Sequence, residues 1–405
     1  VSAVARVEAA FARIAARSEL HAFVDLDREG AMAAARASDA RTYPLPLDGM
    51  SFGIKANIAV AGLPWTAGMA LHRERIAERD AAVVTRLRKA GAIILGSVNM
   101  HEAALGATTD NMFFGRTLNP HDLRRTPGGS SGGSGAAVAA GLCDAALGTD
   151  TLGSVRIPAA YNGVYGLKPT PGATGNDGLE PLARDFDAIG PLARSLELLE
   201  RIWGVLRPLR HSGGKIDRLL LLDDLAGVEV EPAVRAAYDR AIAALDLPRA
   251  TLTLADPPQT IRLAGFIAAG RELAADLGDH DPALISPELR FMLSFCTGAT
   301  PMPEVLARTR ETLLAALGDD GVLLTPTAPQ AAFAHGRAPV NQADFTGLAN
   351  IAGCPALSIP AGRDEHDMPV AVQLIGPLGS EDALFALART LDAALDGYAP
   401  PPEAP

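Results

Sequence analysis

Two glycine- and serine-dense segments, separated by one short apolar element, constrain this chain more than any other feature. The first reads Pro-Gly-Gly-Ser-Ser-Gly-Gly-Ser-Gly from Pro127 to Gly135 and runs into the alanine-rich stretch Ala136 to Ala140. The second reads Gly-Thr-Asp-Thr-Leu-Gly-Ser-Val-Arg-Ile-Pro from Gly148 to Pro158, with Gly-Leu-Lys-Pro ending at Pro169. Glycine lets backbone N–H groups approach another group closely and adopt dihedrals closed to other residues. Hydroxyls beside such N–H groups are the parts of an acyl-transfer site, a nucleophile and an oxyanion hole. A plain Gly/Ser linker would not run straight into a helix. A phosphate-binding loop would end in Gly-Lys-Ser/Thr, whereas Gly133-Ser134-Gly135 carries no lysine.

Around these segments the hydrophobic pattern alternates strand and helix. Strands are expected at His21 to Leu26, Met50 to Ala56, Ala92 to Gly96, Asp144 to Gly148, Leu219 to Leu222, Val322 to Thr325, Ala356 to Ile359 and Val370 to Ile375. Helices are expected in residues 1–40, over Asp80 to Ala90 and Ser134 to Ala140, and from near Pro232. Two or more further helices fill Arg262 to Leu317, and others cover Asp344 to Ala352 and Glu381 to Leu395. This interleaving predicts an α/β fold: a large mixed, mostly parallel sheet covered by helices on both faces. Soft boundaries fall at Arg207 to Lys215 and Gly298 to Pro303, and neither has the composition of a flexible linker.

A serine hydroxyl needs a base. Gly128-Gly129-Ser130-Ser131-Gly132 satisfies Gly-x-Ser-x-Gly, but that elbow requires a buried strand just before the turn. The preceding Asp122-Leu123-Arg124-Arg125-Thr126-Pro127 is charged and ends in proline, and His211, His280, His335 and His366 sit in no matching context. A lysine buried among apolar neighbours loses its charge more readily and can take a proton. Lys55, in Phe52-Gly53-Ile54-Lys55-Ala56-Asn57-Ile58, is the candidate, and one serine can bridge its amine to a second, nucleophilic serine. In isolation Lys55 reads as a strand-terminal lysine facing solvent. The two serine segments tip the balance.

The chain resembles the amidase signature family. The residues that carry this are Lys55 in Gly-Ile-Lys-x-Asn-Ile and the run Gly128 to Pro169. Supporting segments are Asn99-Met100-His101-Glu102, Leu323 to Thr327, Gly353 to Pro360 and Pro369 to Gly376, so the likeness covers nearly the whole chain in order. The resemblance implies one amidase domain over residues 1–405 with a variable substrate cover at about 190–320. It implies Ser154 as the acyl-forming nucleophile, Ser130 as a bridging serine on a cis peptide, and Lys55 as the base. It also implies an oxyanion hole from the N–H groups of Thr151, Leu152, Gly153 and Ser154, with Ser131 supporting the relay. Arg156 is expected to pin the nucleophile loop, and His101 and Glu102 to hold it. Trp65 and Trp203 read as core or pocket wall. The implied function is hydrolysis of a small carboxylic amide. The alternatives are the glutaminase-type subunit of an amidotransferase and a catalytically impaired scaffold.

Three departures stand out. Leu152 occupies a position where most members have glycine, and Ala56 one where an aspartate usually follows the lysine. The chain is also shorter than many members between about Gly190 and Gly321. The first is expected to narrow the acyl pocket, the second to remove a carboxylate near the base, and the third to leave the pocket more open or to go with a small substrate.

Composition closes off other classes. The 405 residues are 48% hydrophobic and 20% charged, which is globular. A net charge of −11 argues against a nucleic-acid partner, since phosphate neutralisation needs an excess of Lys and Arg. Cys143, Cys296 and Cys354 have neither disulfide nor zinc spacing, and the eight histidines form no His-x-x-x-His pair, so neither a metal nor another cofactor is expected. No apolar run reaches the roughly 18 residues of a membrane span. The expected setting is cytoplasmic, the expected partner a small-molecule amide, and a homodimer is compatible with the reading.

Overall fold

Two strands of the chain are mostly apolar, Ile-Ile-Leu-Gly-Ser-Val and Ala-Ala-Leu-Gly-Thr-Asp, and every one of their residues is buried. Continuous apolar strands of this kind belong inside a sheet covered on both sides. The computed structural model, which describes residues 1–207 and 214–402, shows such a sheet.

In chain order the strands are β1 (Phe23–Leu26), β2 (Ser51–Lys55), β3 (Ile93–Val98), β4 (Asp110–Asn111), β5 (Gly115–Arg116), β6 (Ala145–Asp150) and β7 (Tyr165–Lys168). Then come β8 (Ala188–Ala193), β9 (Arg218–Leu222), β10 (Arg249–Leu252), β11 (Gly321–Pro326), β12 (Ala356–Arg363) and β13 (Pro369–Ile375). Eleven of them form one sheet in the order β1-β3-β2-β6-β8-β7-β12-β13-β11-β9-β10, and β4 and β5 pair separately. Successive side chains on a strand point to opposite faces. Accordingly Ile94 and Leu147 join one apolar core, with Leu199, Ile202, Ala237 and Leu391 from the helices on that face. Ile93, Leu95 and Ala146 join another, with Val7, Ala31 and Val138 from other helices.

The mixed sheet with helices on both faces is as the sequence predicts, but its parallel majority is not. Six neighbouring pairs are antiparallel and four parallel. Interleaved helices suggest crossovers, yet β12 and β13 are joined by only residues 364–368, and β7 and β8 by a stretch without a helix. Such connections pair strands antiparallel. The soft boundary expected at Gly298 to Pro303 is a turn between helices Pro287–Gly298 and Pro303–Leu317. The one expected at Arg207 to Lys215 lies largely outside the described residues.

Register brings the chemistry to one edge. Strand β2 runs parallel to β6 with Ile54 opposite Leu147, so Lys55 and the pair Thr149–Asp150 leave the sheet at the same end. Strand β8 runs antiparallel to β6 with Ala188 opposite Asp150, which delivers Asp187 to that end as well.

Candidate active site

Lys55 is wholly buried at the end of β2. Its ammonium Nζ donates to Ser130 Oγ at 2.7 Å and to Thr149 Oγ1 at 2.7 Å. Asn57 Nδ2 also donates to Thr149 Oγ1, at 3.2 Å. Burial drives the lysine pKa down from its usual value to about 7, against the opposing pull of Asp187 and Asp150. A lysine poised there is half neutral near pH 7, which suits a general base. Ala56 belongs to an apolar cluster with Met69 and Met100, and the carboxylates that act on Lys55 are Asp187 and Asp150.

The glycine loop is held by its backbone. The Gly129–Ser130 peptide is cis. The His101 N–H donates to the Ser130 carbonyl at 3.0 Å, and the Thr109 hydroxyl to the Gly128 carbonyl at 2.8 Å. The first turn of helix Gly132–Ala139 lies so close to β3's exit that a Cβ on Gly133 would sit 2.3 Å from the Asn99 carbonyl oxygen. Glycine is required there. Ser131 fastens this loop to the other: its N–H donates to the Ser154 carbonyl at 3.2 Å and its hydroxyl to the Thr149 carbonyl at 3.1 Å.

The loop that carries Ser154 wraps around the buried carboxylate of Asp150. Asp150 accepts from Gly153 N at 2.8 Å, Val155 N at 3.1 Å, Arg156 Nε at 3.0 Å and Arg156 Nη2 at 2.9 Å. Arg156 continues to Gln373 Oε1 at 2.8 Å and Asn350 Oδ1 at 2.7 Å. Burial raises the Asp150 carboxyl, but the charge and hydrogen bonds of Arg156, with Lys168 and Asn350, outweigh it and hold the pKa at about 2. Thr346 caps the turn: its hydroxyl donates to the Leu152 carbonyl at 2.7 Å. Gly153 has φ +133°, and a Cβ there would lie 2.2 Å from Thr346 Oγ1.

Of the four expected oxyanion donors, Gly153 N is thus already donated to Asp150. The N–H groups of Thr151, Leu152 and Ser154 have no acceptor among the described residues. The Thr151 hydroxyl donates to Asp187 Oδ1 at 2.5 Å, and Asp187 Oδ2 accepts from Leu182 N and Ala183 N at 2.8 and 3.1 Å. Burial pushes Asp187 up to about 6, with those hydrogen bonds opposing it.

Ser154 is half-buried and faces a cavity of about 440 Å³. Thr151 and Leu152 form its wall beside the serine, and Phe266, Met292 and Phe295 form the far wall. The far wall comes from helices Pro258–Leu277 and Pro287–Gly298, inside the expected cover region. Leu152 lines the cavity as expected, but much of its side chain is accommodated by the cover: a Cβ on Gly265 would lie 2.9 Å from Leu152 Cδ2.

Sequence reasoning missed Thr149, Asn57, Asp150, Asp187 and Thr346. Asp150 and Thr149 stand inside the second quoted segment, where their place beside Ser154 was a usable signal. Asp187 and Thr346 carry no local signal. His101 is buried, and burial lowers its pKa to about 4, so it stays neutral while its backbone holds the glycine loop. Trp65 packs under the Arg75 guanidinium and donates to the Asn57 carbonyl at 3.0 Å, and Trp203 is core. Among the described residues no cluster suited to a metal ion is present, and no helix is long and apolar enough to cross a membrane.

A family model described as Amidase matches residues 5–206 and 301–385. The chain is 34% identical to a glutamyl-tRNA(Gln) amidotransferase subunit of Synechococcus sp. (strain RCC307), over 98% of this chain and 95% of that one. Among solved structures it superposes with a TM-score of 0.90 and 31% identity on a protein from work on a vestigial protein complex and the origins of an s-triazine catabolic enzyme. That alignment covers 99% of this chain and 97% of that one. A structure of 6-aminohexanoate cyclic dimer hydrolase with its substrate aligns at 0.83 and 25%, over 98% and 94%. With the fold, the family match and these relatives in agreement, the chain belongs to the amidase signature family.

Proposed function

We propose that this protein hydrolyses a small carboxylic amide to acid and ammonia or amine through an acyl-enzyme on Ser154. The observation that carries the reading is the wholly buried Lys55 amine at 2.7 Å from Ser130 Oγ, with a pKa near 7. Ser154 Oγ attacks the amide carbonyl carbon. Ser130 accepts the Ser154 proton as its own passes to Lys55. The carbonyl oxygen, now an anion, is held by the N–H groups of Thr151, Leu152 and Ser154. The C–N bond then breaks as Ser130 protonates the nitrogen and is reprotonated by Lys55. Water cleaves the resulting ester by the same relay in reverse.

A second reading, ammonia release from glutamine within an amidotransferase assembly, is favoured by relatives that carry the name of an amidotransferase component. Co-purification with a partner protein separates it from a free-standing amidase. The impaired-scaffold reading is opposed by the intact Lys55–Ser130 contact. A fluorophosphonate probe tests the main reading. One adduct is expected, mapped by peptide mass to Ser154 and absent in Ser154→Ala. Labelling that survives Ser154→Ala but not Ser130→Ala would reverse the assignment.

A further inference from the structure

We infer that the cavity before Ser154 selects primary amides whose acyl group is uncharged and apolar, of phenylalkyl size, with Phe266, Met292 and Phe295 as the gripping wall. The inference rests on the Ser154 acyl-enzyme reading.

The side of the scissile bond follows from packing. Ser130 must protonate the departing nitrogen, so that nitrogen faces the relay. Lys55, Ser130 and Ser131 are wholly buried, and none of them lines the cavity. Little room is left on that side, which suits ammonia. The open volume of about 440 Å³ lies on the side of Thr151 and Leu152 and receives the acyl group. It falls within the range of small-molecule pockets, about 300–1,000 Å³.

The chemistry of the wall sets the rest. Leu105, Leu182, Leu263, Phe266, Met292 and Phe295 line it. Among the described lining residues the one charged side chain is Arg262, whose Nε already donates to Asp344 Oδ1 at 2.6 Å. Asp344 is itself 4% exposed and lies behind the wall. An amino-acid amide such as glutamine brings both an ammonium and a carboxylate. Among the described lining residues no carboxylate meets the ammonium, so contact with this wall costs it hydration with no ion pair in return. An aromatic ring loses nothing there and gains from leaving water.

The test measures ammonia release by the full chain from 3-phenylpropanamide, acetamide and L-glutamine, and methylamine release from N-methyl-3-phenylpropanamide. Fluorophosphonate labelling of Ser154 runs on the same preparation. Expected is a kcat/KM for 3-phenylpropanamide about tenfold or more above both acetamide and glutamine, from the extra apolar group buried. N-methylation is expected to lower it. The variant Phe295→Ser should raise KM for the phenyl substrate by a larger factor than it raises KM for acetamide. Labelled enzyme that prefers glutamine or acetamide overturns the inference and leaves the amidase reading standing. Labelled enzyme that hydrolyses no amide, and whose labelling 3-phenylpropanamide does not slow, also overturns it. Absence of both labelling and turnover removes the amidase reading and the inference with it.

Discussion

Replacing Arg156 by methionine should unfold the nucleophile loop without removing any group that touches substrate. Arg156 and Asp150 are both at 0% side-chain exposure. The guanidinium makes two hydrogen bonds to Asp150, one to Gln373 and one to Asn350, all between 2.7 and 3.0 Å. Removing one partner of such a buried pair strands the other charge and costs about 3–5 kcal/mol. The carboxyl itself gives an independent figure. Its pKa, lowered from 3.8 to about 2, corresponds to about 2 kcal/mol. Because the folded pKa is depressed, this stability is present above about pH 4 and is lost as pH falls through about 2. Unfolding entropy scaled to 405 residues converts 3–5 kcal/mol into a melting-temperature drop of about 4–6 °C. Differential scanning calorimetry at pH 7 reads it, and the deficit should shrink as pH is lowered from 4 towards 2. Arg156→Lys should be nearly as harmful, since one ammonium cannot replace a planar fork that serves three residues. An Arg156→Met protein melting within about 1 °C of wild type would refute the reasoning.

Thr149→Val should lower kcat by about 10–100-fold with KM little changed, and should move the pH step below about 7, because Lys55 loses an acceptor for its charged form. Thr149→Ser should restore both, and a change confined to KM would sink the idea. Leu152→Gly should raise kcat/KM more for a branched amide than for acetamide, whereas Gly265→Ala should do the opposite by pushing Leu152 Cδ2 towards the cavity. If neither variant moves the ratio of the two kcat/KM values, Leu152 only packs against the cover.

The glycine-serine segments were legible because their residue types make sense only as chemistry, and they made Lys55 legible in turn. A lysine ending an apolar strand and two serines in bare backbone imply a relay before any contact is seen. Which strand lies beside β2 is another matter. It takes the β2–β6 register to bring Thr149 against Lys55, and the β6–β8 pairing to bring Asp187 to Thr151. Long-range register leaves no trace in local periodicity. The same gap produced the parallel-sheet expectation, since strand direction depends on where a connection returns rather than on whether helices intervene. The oxyanion turn illustrates a subtler limit. Gly153 looks like a donor by position, yet Asp150, three residues earlier, takes its N–H. Leu152 looks like an obstruction, yet Gly265 on a distant helix makes room for it.

The account stands on Lys55 as the base that acts on Ser154 through Ser130, and the pH dependence of Ser154 labelling by a fluorophosphonate tests this most directly. The second-order labelling rate should rise through a single ionisation near pH 7 and level off above it, as the buried amine loses its charge. Lys55→Arg, whose guanidinium cannot be deprotonated at these pH values, should label slowly at every pH with no step. A Lys55→Arg enzyme that labels at the wild-type rate, or that keeps the same step near pH 7, would contradict the relay.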